Sequence, residues 1–267
     1  MNKYMVRPGA PSRLRLADPS DTSGFDGVKD EGRKELERLT SRLEKLQDLL
    51  AAEQQHALLI VLQGMDTSGK DGTIRRVFQG VNPQGVRVSQ FKSPTPRELS
   101  HDFLWRVHAE APARGEMVLF NRSHYEDVLV PRVHHLIPKA EWTARYREIN
   151  AFERSLSEEG TVVLKFFLHV SKAEQKRRLE ERLKDPSKHW KFREADLRER
   201  RHWSAYMNAY EEALTRTSTP WAPWWIVPSD HKWFRDLLVS QRIVATLESL
   251  QMRYPSLPVE LRGSRVH

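Results

Sequence analysis

One stretch limits the possible folds more than any other. The apolar run Ala57-Leu58-Leu59-Ile60-Val61-Leu62 leads almost directly into Gly64-Met65-Asp66-Thr67-Ser68-Gly69-Lys70-Asp71-Gly72-Thr73, and the helical pattern Ile74-Arg75-Arg76-Val77-Phe78 follows at once. A buried strand, a Gly-x4-Gly-Lys loop and a helix, in that order, are the setting of a phosphate-binding loop. Glycines let successive backbone N–H groups turn toward a phosphate, the helix N-terminus adds the positive end of its dipole, and Lys70 supplies a mobile full charge. Gly64, Met65, Thr67, Ser68, Gly69, Asp71 and Gly72 are therefore assigned to substrate binding and Lys70 to catalysis. The bland alternative, a glycine-rich turn beside a solvated lysine, leaves the strand before and the helix after unexplained. Ordinary loops of this kind follow the lysine with Ser or Thr, whose hydroxyl holds Mg²⁺. Here Asp71 stands in that place, so another group must help carry the metal. Asp66, a carboxylate inside the loop, would be repelled by a phosphate unless a cation lay between them. It is expected to bind metal or orient the acceptor, the alternative being a side chain that braces the loop.

The rest of the chain alternates short apolar runs with helical patterns. Residues 57–62, 86–91, 117–120, 161–170 and 224–227 read as buried strands, and 71–80, 95–111, 139–159, 171–216 and 231–253 as helical stretches. Five strands separated by helices imply an α/β fold with a five-stranded parallel sheet covered on both faces, a three-layer arrangement. Ahead of it, leucines at 36, 39, 43, 46 and 50 mark one stripe of a charged helix near 30–53, which must bury against the parent domain or against another copy. Residues 1–26, with Pro8, Pro11 and Pro19 and no sustained period, read as an extended arm that wraps a neighbour or hangs free. The domain is expected to span 27–255, with a tail at 256–267.

Composition narrows the function classes. The 267 residues include no cysteine, which removes disulfides, thiolate nucleophiles and Cys-ligated zinc together. No run approaches the length of a membrane span and the first residues lack an apolar signal core, so a soluble cytoplasmic protein is expected. The net charge of +8 and pI near 9.7 favour a polyanionic partner, which leaves nucleic acid, anionic lipid and inorganic polyphosphate as candidates.

The third strand runs straight into Asn121-Arg122-Ser123-His124-Tyr125-Glu126-Asp127, which the strand's carboxyl end should bring to face the glycine loop. Arg122 suits a clamp on a phosphoryl group in flight, against a structural ion pair with Glu126 or Asp127. Glu126 is expected to hold Mg²⁺ or contact the nucleotide, the alternative being a plain carboxylate at a helix start. Asn121 stands where nucleotidases and kinases often carry an acid, so it coordinates only weakly or orients a water. His124, His134 and His135 fit no common metal spacing.

Between Ser171 and Trp203, twelve Lys and Arg face seven Asp and Glu, a surplus of five that is more than half of the chain's net charge. Broken at Asp185-Pro186-Ser187, the segment resembles a two-helix lid able to close over a polyanion, with Arg178, Arg182, Lys188 and Lys191 as its expected phosphate contacts. The competing reading is a solvated, salt-bridged helical face.

Three ordered motifs carry a resemblance over about residues 27–255: Gly64 to Gly72, Phe120 to Val130, and Ser171-Lys172-x-Glu174-Gln175-x2-Arg178 followed by Trp190-Lys191. Together they resemble the polyphosphate kinase 2 family, a branch of thymidylate-kinase-like P-loop phosphotransferases. The resemblance implies Mg²⁺-dependent transfer of phosphate from polyphosphate to a nucleotide, with Mn²⁺ as a substitute metal, and a five-stranded core with a helical lid. Asp71 after the lysine is part of that family's pattern. Asn121, His124 and Glu126 replace Asp, Trp and Asn of other branches and look like the branch that phosphorylates both AMP and ADP, so that ADP and ATP are made. The Asn121 replacement moves the expected metal role to Asp66 and Glu126. Two rival readings stand beside it: an ATP-dependent nucleoside monophosphate kinase, disfavoured by the basic lid, and a nucleotide-gated nucleic-acid-binding protein, for which no recognition motif is found. Neither nucleic acid nor membrane is expected as a partner, and the arm and the leucine stripe suggest a homo-oligomer.

Overall fold

The computed structural model describes residues 2–258. Strands β1 (Ala57–Gln63), β2 (Val86–Gln90), β3 (Met117–Asn121), β4 (Thr161–His169) and β5 (Trp224–Pro228) form one parallel sheet in the order β2-β3-β1-β4-β5. Ten α-helices accompany them among the described residues: α1 (Lys29–Glu53), α2 (Lys70–Val77), α3 (Pro96–Leu99), α4 (Trp105–His108), α5 (Glu126–Val133), α6 (Lys139–Glu158), α7 (Lys172–Lys184), α8 (Glu194–Arg201), α9 (Trp203–Thr217) and α10 (Lys232–Ser249).

All seven residues of β1 are buried, and alternate side chains enter opposite cores, as the two-residue period of a strand requires. Leu58, Ile60 and Leu62 meet the α1 leucines and Leu237 and Ile243 of α10, while Leu59 and Val61 meet Leu129 of α5, Ile149 of α6 and Leu214 of α9. The α1 stripe, Leu36, Leu39, Leu43, Leu46 and Leu50, is thus buried against the parent domain, and each fully buried leucine stabilises the fold by roughly 1.5–3 kcal/mol relative to exposure. It offers no seam to a second copy.

The N-terminal arm departs from the expectation of a free or neighbour-wrapping segment. Val6 N–H donates to the Trp224 carbonyl (2.8 Å), Met5 bridges Trp225 antiparallel, and Leu14 is fully buried, so the arm covers the open edge of β5 within its own chain. An uncovered edge strand would present unpaired backbone groups. The expected tail at 256–267 lies outside the described residues from 259 onward.

Two helical readings are corrected. The stretch 95–111 holds only the single turns α3 and α4: Pro96 opens the first, and Asp102 starts the second by accepting from Leu104 N–H (3.0 Å). The stretch 171–216 is broken into α7, a 3-10 turn (Pro186–Lys191), α8 and α9, with Asp185 capping the turn through Ser187 N–H (3.0 Å). Helix α5, which carries Pro131, is absent from the helical stretches read from the sequence.

The register Leu62↔Asn121 between β1 and β3 sets the loops that follow these strands side by side. Ligand crevices of parallel sheets form at that carboxyl end.

Candidate active site

The glycine loop joins β1 to α2. Gly64 at φ 150° and Gly69 at φ 108° occupy backbone conformations that strain any side chain, and a Cβ on Gly64 would stand 2.7 Å from the Leu168 carbonyl. Thr67 adopts φ 62° without being glycine, a conformation costing of order 1–3 kcal/mol that persists only where neighbours enforce it. Those neighbours are identifiable. Gln175 Nε2 donates to the Asp66 carbonyl (3.0 Å), and Arg178 Nη1 donates to the Thr67 (2.9 Å) and Ser68 (3.1 Å) carbonyls. In a trans peptide the N–H points opposite to the carbonyl it follows. Drawing the carbonyls of 66–68 back toward α7 therefore turns the N–H groups of 67–69 the other way, although that of Ser68 is taken by the Met65 carbonyl (3.0 Å). The hydroxyls of Thr67 and Ser68 are buried with no hydrogen-bond partner among the described residues.

Lys70 opens α2 and curls over the loop, Nζ donating to the Gly64 carbonyl (2.7 Å). Burial lowers its pKa, and the Arg122 charge adds to this, against the pull of Asp66, Glu126 and Asp71. Asp71, on the next helical position, accepts from Asn121 Nδ2 at 2.7 Å, so Asn121 ties the end of β3 to the start of α2. Gly72 lies one residue further along the same turn.

Beyond β3, Arg122 also holds a left-handed backbone, φ 63°. Its guanidinium lies 3.1 Å from Asp66 Oδ1 and 3.9 Å from Glu126 Oε2. Glu126 foremost, with burial opposing and Asp66 assisting, holds that guanidinium above its ordinary pKa. Burial raises the Glu126 carboxyl in spite of Arg122 and Lys70. The residues read from the sequence as catalytic, Asp66, Lys70, Arg122 and Glu126, thus converge.

Asp66, Arg122 and Glu126 line a cavity of about 780 Å³, and Lys70 stands just behind that wall, its Nζ on the carbonyl of Gly64, which also lines it. Gly64, Met65, Asp66, Arg122 and Glu126 line one end, while Phe91, Lys92, Arg106, Asp127 and Arg145 line another wall. On that wall Arg106 pairs with Asp127 (3.0 Å) and donates to the Lys92 carbonyl (2.9 Å), and Arg145 donates to the Asp127 carbonyl (2.7 Å). From the lid segment come Arg193, Ala195, Asp196 and Glu199.

The lid contacts need correction. Arg178 is buried, and besides the loop carbonyls it donates to those of Ser229 (2.5 Å) and Asp230 (3.2 Å) and pairs with Glu174 (2.7 Å), so it braces the loop from behind instead of projecting toward a ligand. Arg182 donates to the Lys191 carbonyl (3.3 Å), Lys188 pairs with Asp185 (2.6 Å), and Lys191 lies over the Trp190 ring (4.8 Å). These three sit in the lid segment without lining the cavity, and Arg193 is the lid cation that does line it. A net charge count cannot tell a cation that faces a cavity from one that braces a carbonyl.

Sequence reading also missed the support of the Arg122 loop. Lys165, in the middle of β4, is fully buried and donates to Glu153 (2.6 Å), the Tyr125 hydroxyl (2.9 Å) and the Thr217 carbonyl (2.7 Å). Glu153 also accepts from the Tyr125 hydroxyl (2.8 Å) and pairs with His124 Nε2 (3.2 Å). Burial pushes the Glu153 carboxyl upward, but Lys165 and His124 overcome it and hold the group ionised below its usual range. The signal was present: one lysine interrupts the otherwise apolar run Val162-Val163-Leu164-Lys165-Phe166-Phe167. His134 pairs instead with Glu199 (3.0 Å) on α8.

Asp66 and Glu126 already share one cation, Arg122, and so suit a divalent ion. Among the described residues no group of three or more His, Asp or Glu could hold a metal by protein ligands alone. One or two carboxylates completed by substrate phosphates and water is the usual protein share of a Mg²⁺ site.

Comparison with known proteins bears on what fills this cavity. The family profile described as polyphosphate kinase 2 (PPK2) matches residues 27–255. An AMP/ADP-polyphosphate phosphotransferase of Meiothermus ruber is 56% identical over 255 residues, 96% of each chain. An ADP-polyphosphate phosphotransferase of Rhodopseudomonas palustris is 46% identical over 249 residues, 89% of this chain and 86% of the relative. The crystal structure of polyphosphate kinase 2 from Arthrobacter aurescens superposes with a TM-score of 0.93 at 44% identity, covering 97% of this chain and 93% of that one.

Proposed function

The chain belongs to the polyphosphate kinase 2 family, and from that premise we propose that it transfers phosphoryl groups between inorganic polyphosphate and adenine nucleotides, making ADP from AMP and ATP from ADP. The observation that carries the reading is the meeting of Arg122, Asp66 and Glu126 on a cavity roomy enough for a nucleotide beside a phosphate chain, with Lys70 held behind them on the Gly64 carbonyl. A phosphate oxygen of AMP or ADP forms a bond to the terminal phosphorus of polyphosphate while the terminal phosphoanhydride breaks, and the chain leaves one unit shorter. The attacking oxygen is already anionic at neutral pH, so positioning and charge neutralisation dominate and no general base is needed. Loop amides and Lys70 bind phosphate oxygens, and Arg122 exchanges its carboxylate partners for the phosphoryl in transfer. Asp66 and Glu126 would hold Mg²⁺, or Mn²⁺, which when bound neutralises phosphate charge. Lid cations, Arg193 nearest the cavity, complete the enclosure of the chain.

Both relatives' names specify polyphosphate and differ in the acceptor, AMP/ADP for one and ADP for the other. We extend the reading to both acceptors because the relative at 56% identity carries both in its name and because Asn121, tied to Asp71, leaves Asp66 and Glu126 as the carboxylates at this end of the cavity. Among the described residues no helix is long and apolar enough to cross a membrane, and nucleotide substrates fit a cytoplasmic enzyme. The test is chromatography of nucleotides after incubating purified protein with Mg²⁺ and long-chain polyphosphate plus AMP or ADP alone. ATP from both acceptors is expected. ATP from ADP only refutes the extension to AMP, and ADP appearing only from ATP plus AMP identifies a monophosphate kinase.

A further inference from the structure

The clamp on the glycine loop has a second member that lies in none of the three sequence motifs. Arg235, on α10, is buried to 2% exposure directly behind the loop. Its Nη1 lies 3.4 Å from the Ser68 carbonyl, the same oxygen that Arg178 reaches from α7. Its Nε and Nη2 are fixed by Asp236 Oδ1 at 2.8 and 2.7 Å, and that oxygen also accepts from Thr73 Oγ1 of α2 (3.1 Å). One buried ion pair on α10 therefore touches both the turn of the loop and the helix that follows it. The fit is tight, since a Cβ on Gly69 would stand 1.8 Å from Arg235 Nη1. The absent side chain of Gly69 is the space the guanidinium occupies.

We infer that Arg235, oriented by Asp236, is a positioning residue for phosphoryl transfer, holding the Ser68–Gly69 peptide with its carbonyl rearward and its N–H toward the anion. The planar fork matters: two of its donors are committed to Asp236, which aims the third at the loop, and a lysine in its place has no such geometry. Paired with Asp236, the guanidinium acts through the direction of its N–H groups and not through net charge. The inference rests on the proposed function for its catalytic readout, and on anion binding alone for its second.

The variants are Arg235→Lys and the double change Arg235→Met with Asp236→Leu, which removes both charges together and so avoids stranding one of them. Steady-state kinetics with ADP and polyphosphate are run at a temperature where each variant is folded by circular dichroism. Melting is then followed with and without inorganic tripolyphosphate. Turnover is expected to fall about 100-fold in the double variant and about 10-fold in Arg235→Lys, the scale of a slight misplacement of reacting groups. The KM for ADP should stay within about threefold, and tripolyphosphate should stabilise the unaltered protein but neither variant to the same extent. Turnover within about threefold of normal overturns the inference, as does a loss that only follows the folded fraction. A tripolyphosphate shift that is absent from the unaltered protein, or unchanged in the variants, also overturns it. If the unaltered protein turns over no polyphosphate, the functional reading fails, and the tripolyphosphate comparison still decides the role of Arg235.

Discussion

Replacing Lys165 with methionine probes how the site is held. The ammonium is fully buried, makes three hydrogen bonds of 2.6–2.9 Å, and neutralises Glu153, from which Tyr125 and His124 of the Arg122 loop both hang. Methionine fills much of the volume but leaves Glu153 in the core without its ammonium partner, a change that costs about 3–5 kcal/mol. At roughly 2–4 °C per kcal/mol for a domain of this size, the melting temperature should drop by about 6–20 °C. Urea denaturation of Lys165→Met, Glu153→Leu and the double variant forms a cycle in which the two singles should over-count the loss by about 3 kcal/mol, because the double variant strands no charge. A Lys165→Met protein as stable as the parent, or a coupling below about 1 kcal/mol, would refute the claim that this ion pair supports the loop.

Other expectations follow from the same geometry. Lys70→Ala and Arg122→Ala should each lower turnover by at least about 100-fold with little change in melting temperature, as determined by initial rates and calorimetry. Burial raises the Glu126 carboxyl in the free protein, so its ¹³C carboxyl resonance, followed by NMR without Mg²⁺, should titrate above the ordinary carboxylate range and should be missing in Glu126→Gln. Glu174, held by Arg177 and Arg178 and lowered to about 2, contributes stability that is complete above its ordinary value near 4.5 and is lost as pH falls through about 2; acid titration of Glu174→Gln should show a smaller loss across that window. Arg193→Ala should raise the polyphosphate KM and flatten its salt dependence, measured from 50 to 200 mM salt, while sparing the ADP KM.

How far the sequence reveals the molecule depends on how local the signal is. The glycine loop, the five strands and the α1 leucine stripe follow from spacing of a few residues, and all appear in the fold. The clustering of Asp66, Lys70, Arg122 and Glu126 was legible because each lies in the loop or the first helical turn that follows β1 or β3, strands that are neighbours in the sheet. Arg178 and Arg235 were not, since carbonyls of a loop far away in sequence decide their role. The arm was misjudged for the same reason: nothing near Val6 or Leu14 reveals that β5 lies at an open edge. With arm and leucine stripe both satisfied inside one chain, the homo-oligomer these two features suggested loses its support from them, and light scattering becomes its test.

On the proposed function a phosphate chain, and no nucleoside triphosphate, is the donor at the loop Lys70 closes. The most direct measurement follows ³¹P NMR spectra of the protein with Mg²⁺, long-chain polyphosphate and AMP, with Lys70→Ala in parallel. Polyphosphate end-group and chain signals should fall as the ADP and then ATP resonances grow, with no change for the variant. Spectra that stay constant with the unaltered protein, or nucleotide growth that persists undiminished in Lys70→Ala, would contradict the proposed function.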